Sequence, residues 1–136
     1  MSSSIEIPIP IRGYDIDAAG IVSNIVYVRW LEDMRTALLE ITYPIEEQIA
    51  AGIAPVLGRT DITYRRMLTL SDLAIGRMWI NDLGRTRWSI AAVIEAGGVV
   101  RAEATQTGAF INLATKRPIA VPERLRAQFK ASQSAS

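Results

Sequence analysis

The sequence predicts an α+β fold in which a five-stranded antiparallel sheet wraps around one long central helix. Three observations predict it. A strand-like alternation opens the chain, one long stretch of helical period follows, and nearly everything after that reads as strand. A lone amphipathic helix must bury its apolar stripe, and the sheet is the only partner available to it. No linker or internal repeat interrupts the 136 residues, so one domain over 1–136 is expected.

Residues 5–11 alternate Ile5, Ile7, Ile9 and Ile11 with Glu6, Pro8, Pro10 and Arg12, which is a strand with one apolar face. Pro8 and Pro10 lack an N–H on the same side, so this strand belongs at a sheet edge. A loop over 13–22 follows, with a tight bend at Gly20. Ser23 or Asn24 then suits the N-cap of a helix. Over 25–41 the period is helical: Tyr27, Trp30, Leu31, Met34, Leu38 and Ile41 form one face, and Arg29, Glu32 or Asp33, Thr36 and Glu40 the other. Tyr43-Pro44 ends it, because proline pushes its predecessor out of the helical region. A short helix over 45–51 starts at Pro44 and closes at Gly52.

Four strands are predicted after that, over 55–67, 73–81, 85–95 and 99–113, joined as an antiparallel meander. The turns between them fall at Ser71-Asp72, Leu83-Gly84 and Gly97-Gly98, the last a hairpin signal. Trp88, Ile90, Ala92 and Ile94 share one face of the third, and Val100, Ala102, Ala104 and Phe110 one face of the fourth. Pro122 opens a short terminal helix over 122–129 with Leu125 and Phe129 on one side. A loose start at 1–4 and a disordered tail over 131–136 are expected.

Composition narrows the chemistry. There is no cysteine, which excludes disulfides and thiolates, and no histidine. Ser-His-Asp and Cys-His hydrolases and histidine-ligated metal sites are therefore excluded. The formal net charge is +1 and the basic residues are scattered, so no nucleic-acid surface is expected. No apolar run approaches the roughly 18 residues of a membrane span. No charged leader precedes an apolar run at the start, so no signal peptide is expected. These features give the expectation of a cytoplasmic protein. Hydrophobic residues make up 49% of a small chain, more than one such core needs, which points to a subunit interface.

The loop Asp15-Ile16-Asp17-Ala18-Ala19-Gly20-Ile21-Val22 is where chemistry fits best. It sets two carboxylates just ahead of a helix N-terminus, where unpaired N–H groups and a positive dipole end are available. Such donors suit an oxyanion, and a carboxylate beside them suits a base or nucleophile. The same two aspartates also suit turn and cap roles. A carboxylate metal site built from Asp15, Asp17 and Glu32 or Asp33 would need a richer oxygen cluster, so no metal is expected.

The segment DIDAAGIVSNIVYVRWLEDMR resembles the signature of the 4-hydroxybenzoyl-CoA thioesterase branch of the hot-dog superfamily. Asp15, Asp17, Gly20, Val22, Tyr27, Trp30, Glu32 and Arg35 fill the places of its motif. Tyr64, Ser71-Asp72, Gly97-Gly98, Thr115-Lys116-Arg117-Pro118 and Val121-Pro122-Glu123 fit its later pattern, so the resemblance runs from Ile7 to Phe129. It implies a hot-dog fold and hydrolysis of an acyl-CoA or acyl-carrier-protein thioester to the free acid. Asp17 would be the catalytic carboxylate, attacking the thioester carbonyl or activating water. The backbone N–H of Asn24 would polarise the carbonyl oxygen, and Gly20, Val22, Ser23 and Tyr27 would meet the substrate. Neither catalytic role needs histidine, whereas a hot-dog dehydratase would. No cofactor is implied, coenzyme A being part of the substrate. Arg65, Arg66, Arg85 and Arg87 are candidates for its phosphates, and equally are ordinary surface charges.

The resemblance also implies a site shared between subunits, hence a homodimer or homotetramer. Many relatives carry a histidine or an aromatic pair where this chain has Ser23-Asn24, and a proline where it has Met67. The acyl pocket would differ there. Glu32 and Arg35, three apart on a helix, suit an ion pair, and Tyr27 and Trp30 suit the core. The competing reading is a non-catalytic hot-dog protein that binds an acyl ligand or a partner subunit, since fold does not fix function. A cone-shaped α+β fold of the ketosteroid-isomerase kind opens with helices, and this chain opens with a strand.

Overall fold

Residues 3–134 are described by a computed structural model of the chain. The elements are β1 (Ser4–Ile9), α1 (Asn24–Thr42), α2 (Ile45–Ala50), β2 (Ile53–Tyr64), β3 (Ala74–Leu83), β4 (Arg87–Ala96), β5 (Val99–Asn112), β6 (Pro118–Ile119) and α3 (Glu123–Ser134), with a turn of 3-10 helix at Gly13–Asp15. The sheet is antiparallel throughout and ordered β1-β3-β4-β5-β2, with the two-residue β6 lying beside β5. This is the hot-dog arrangement, five long strands curled about α1, with one short strand that the sequence did not announce.

α1 is helical for the reason its period announces. Tyr27, Trp30, Leu31, Met34 and Leu38 are buried, and Arg29, Glu32, Asp33, Thr36 and Glu40 are exposed. The end of the stripe differs from expectation. Ile41 faces solvent and Thr42 is buried instead, its Oγ1 donating to the Leu38 carbonyl at 2.8 Å. A 3.6-residue repeat continued from Met34 and Leu38 reaches position 42. Ser23 is the N-cap residue, and Asn24 begins the helix.

β1 is an edge strand, as its prolines require, and pairs antiparallel with β3. Ser3 and Ser4 are not loose: Ser3 is buried, its carbonyl accepting from the Ile80 N–H at 3.0 Å, and Ser4 begins β1. The expected looseness of the first two residues lies outside the described ones. Gly97 and Gly98 both have positive φ, 61° and 73°, and make the two-residue hairpin turn between β4 and β5. Trp88, Ile90, Ala92, Ile94 and Ala96 all turn inward from β4.

The four-strand meander is wrong at one connection. β2 pairs with β5, Tyr64 opposite Ala102 and Ile53 opposite Asn112, and not with β3. Hairpin loops have about 2–5 residues, but the segment over 65–73 is longer and crosses the helix start. There Leu68 is fully buried, and its carbonyl accepts from the Val22 N–H at 2.8 Å. Ser71-Asp72 is therefore a bend inside a crossover. α3 also runs further than expected, through 131–134, where the sequence predicts a disordered tail. It is tied down over its first half. Leu125 is buried, Arg124 sits 4.6 Å over the Tyr43 ring and pairs with Glu47, and Gln128 donates to the Ile41 carbonyl at 2.9 Å. The last two positions of that tail lie outside the described residues.

Candidate active site

The loop before α1 is closed by its own aspartates. Asp15 is buried, and its Oδ2 accepts from the Arg12 N–H at 2.8 Å. Its carbonyl accepts from the Ser23 N–H at 3.0 Å. Asp17 closes the next ring: its N–H donates to the Ile21 carbonyl at 2.9 Å, and its carbonyl accepts from the Gly20 N–H at 3.0 Å. Its Oδ1 accepts from the Ala19 N–H at 2.8 Å and the Ile21 N–H at 3.4 Å. Gly20 has φ +80°, which is why glycine stands there. The turn role and the chemical role are thus compatible in Asp17. One oxygen holds the loop, and among the described residues no donor meets Oδ2. Asp15 is a structural residue.

The first N–H groups of a helix have no acceptor within it. Here the Asn24 and Ile25 N–H groups meet no acceptor among the described residues. Asp17 and Asn24 are both exposed, and the Asp17–Ile21 and Ser23–Asp15 backbone bonds fold the loop that carries the carboxylate back toward the helix start. Gly20 and Ser23 reach the surface there. Val22 and Tyr27, also expected to meet substrate, are each 3% exposed and form its backing.

That backing is aromatic. Tyr27 meets Trp30 edge-on at 5.2 Å and Tyr64 edge-on at 5.1 Å. The Tyr64 hydroxyl donates to the Asn24 carbonyl at 3.1 Å, which ties β2 to the first residue of α1. Burial first, and then neighbouring Tyr64, push the Tyr27 phenol above its ordinary range, so it stays neutral. The sequence marked Tyr64 only as a family position, because its partner lies forty residues away.

Behind Tyr27, Arg101 pins the crossover. Its Nη1 donates to the Met67 carbonyl at 2.7 Å, and its Nη2 to the Ala96 carbonyl at 3.1 Å. Nη1 also lies 3.5 Å from Asp72 Oδ2. The Thr69 N–H donates to the same oxygen at 2.8 Å. That amide chiefly, then the Thr69 hydroxyl and Arg101, hold the Asp72 carboxyl below its usual range against the cost of partial burial. A carboxyl lowered on folding stabilises above its unfolded pKa, about 3.9, and loses that contribution as pH falls through the folded value. Asp72→Asn is therefore expected to melt below the native protein at pH 7, and the gap in Tm to close as pH drops below about 4. Thermal unfolding followed from pH 2 to 7 checks this, and a gap that persists unchanged at the acid end contradicts it.

Glu32 and Arg35 form the expected ion pair at 2.6 Å. Arg35 does more: its Nη1 donates to Gln106 Oε1 at 2.9 Å, and buried Gln106 passes a bond to Thr60 Oγ1 at 3.0 Å. The chain links α1 to β5 and β2, which helical spacing alone does not reveal. Arg65 pairs with Glu103, so it is not a free cation.

The chain belongs to the thioesterase-like superfamily, whose family model matches residues 11–129. It is 33% identical over 120 residues to the long-chain acyl-CoA thioesterase FadM of Escherichia coli (strain K12), covering 87% of this chain and 91% of that protein. The crystal structure of YbaW, a probable thioesterase from Escherichia coli, superposes with a TM-score of 0.80 at 29% identity, covering 93% and 96% of the two chains. A thioesterase from Thermus thermophilus, complexed with coenzyme A and zinc, shares the fold at 21% identity, with a TM-score of 0.83 over 98% and 96% of the chains.

Proposed function

We propose that this protein hydrolyses acyl-CoA thioesters to the free acid and thiol, with Asp17 as the catalytic carboxylate. The observation that carries the reading is the open Oδ2 of Asp17, on a loop closed by its own Oδ1, just before the unpaired N–H of Asn24. The substrate carbonyl oxygen accepts from that N–H, and the helix dipole favours the negative charge that develops there. Asp17 then acts in one of two ways. Attack on the carbonyl carbon expels the thiolate and leaves an anhydride that water cleaves. Removal of a proton from water lets the hydroxide attack instead. Gly20 and Ser23 line the site, and Val22 and Tyr27 support it from behind.

The family membership and the likeness to FadM support coenzyme A as the thiol, with carrier-protein thioesters as the alternative donor. We place this activity in the cytoplasm. The assembly proposed is a homodimer joined through β2, at the sheet edge opposite β1. Among the described residues no strand pairs with that edge, and Val56 and Leu57 are exposed on β2. A panel of linear, branched and aromatic acyl-CoA and carrier-linked thioesters, assayed by thiol release, tests the reaction. Turnover of at least one of them is expected, and silence across the whole panel rejects it.

A further inference from the structure

Around the start of α1 most amides are taken. The Val22 N–H donates to the Leu68 carbonyl at 2.8 Å, the Ser23 N–H to the Asp15 carbonyl at 3.0 Å and the Val26 N–H to the Ser23 carbonyl at 3.0 Å. The Asn24 and Ile25 N–H groups between them meet no acceptor among the described residues. The peptide unit that carries the Ile25 N–H also carries the Asn24 carbonyl, and that carbonyl accepts from the Tyr64 hydroxyl at 3.1 Å. An α-helix already supplies a carbonyl in this position with a donor, the N–H four residues on. The Tyr64 bond uses the second lone pair and rescues no orphan. A donor on the oxygen of a peptide polarises its N–H, which makes that N–H the stronger donor.

Tyr64 is rigidly mounted, yet it is no core residue, being 42% exposed. It ends β2 opposite Ala102 of β5, and the next two amides, those of Arg65 and Arg66, both donate to the Arg101 carbonyl, at 2.8 and 3.1 Å. Its ring stands edge-on to Tyr27 at 5.1 Å. Backbone and ring together fix where the hydroxyl reaches. We propose that Tyr64 is a positioning residue for thioester hydrolysis: its hydroxyl holds the Asn24–Ile25 peptide in place and strengthens the Ile25 N–H as a second donor, beside that of Asn24, to the thioester oxygen. This rests on the reading of Asp17 and Asn24 above. Tyr64 touches no reacting atom and acts through the peptide. Negative charge on the thioester oxygen is greatest in the transition state, so the gain falls on kcat and not on KM.

The test compares the native protein with Tyr64→Phe, which removes the hydroxyl and keeps the ring, and with fluorotyrosine in place of Tyr64, a stronger donor while its phenol stays protonated. It measures kcat and KM separately, on the acyl-CoA of the panel above that turns over fastest. Tyr64→Phe is expected to lower kcat by about tenfold, less than the ~10²–10³ that deleting an oxyanion donor outright costs, with KM within about twofold of native. Fluorotyrosine is expected to keep kcat at the native level or above it. The same acyl-CoA, labelled with carbon-13 at its carbonyl and bound to Asp17→Asn, is expected to show a downfield carbonyl shift that shrinks when Tyr64→Phe is added. Native kcat in a folded Tyr64→Phe variant overturns the proposal, and so does an unchanged carbonyl shift. If turnover survives Asp17→Asn but still falls in Tyr64→Phe, the Asp17 reading fails and Tyr64 keeps its place.

Discussion

Asp17→Asn is expected to lower kcat for thioester hydrolysis by about 10²–10⁴-fold while leaving the fold intact. The variant separates the two duties of this side chain. An asparagine oxygen still accepts from the Ala19 and Ile21 N–H groups, so the loop stays closed and Gly20 keeps its bend. What disappears is the anionic oxygen that attacks a carbonyl or takes a proton. Asp17→Ala would be a poorer experiment, because it removes the loop bonds as well. Thiol release and thermal unfolding should be measured on the same preparation. Native turnover in a folded Asn variant would remove Asp17 from the mechanism, and Asp15 could not replace it, since it is buried and bonded to Arg12.

Gly108→Ala is expected to destabilise the protein by about 1–3 kcal/mol or more. A methyl group at this point of β5 would overlap the Val56 carbonyl oxygen and the six-membered ring of Trp88. The carbonyl belongs to the adjoining strand and cannot retreat without disturbing the β2–β5 pairing. The indole is fixed as well, with Nε1 donating to the Ala109 carbonyl at 3.0 Å. Gly76→Ala is the control. The atoms nearest its new methyl are the far ends of the Ile9 and Met34 side chains, which can shift where a backbone carbonyl cannot, so a smaller loss is expected. Urea unfolding of both variants gives the comparison. Equal losses would mean that Trp88 can repack, and that β5 tolerates a side chain at that level.

The sequence was legible where the cause was local. The stripe on α1, the Gly97-Gly98 turn and the edge position of β1 each follow from residues within a few places of one another. So does the closed loop around Asp17. The partner of β2 was not legible. Its Val, Thr and Ile content marks a strand, but pairing with β5 depends on where the crossover over 65–73 goes, and Leu68 buried beside Val22 decides that. The Arg35–Gln106–Thr60 chain was hidden for a similar reason. Gln106 stands among the inward positions of β5, where a polar residue makes sense only once Arg35 is seen to reach it. α3 runs past its expected end although its apolar pattern fades after Phe129: the contacts with Tyr43, Glu47 and Ile41 come from Arg124 and Gln128 and anchor its first turns, and the Ser132 hydroxyl donates to the Gln128 carbonyl at 3.1 Å further on.

The two margins of the sheet are unlike, and this limits what can grow from them. β1 contains Pro8, with Pro10 just past its end, so its outer margin is short of donors. β2 offers a proline-free run over 56–64, with one bulge between Leu57 and Arg59. Further strands can therefore be added on one side only. When two copies meet through β2 about a two-fold axis, each uses the other's open margin, and both ends of the joined sheet are β1 strands. In such a dimer the prolines at the start of the chain would act far from where they sit, leaving the joined sheet with outer margins poor in donors.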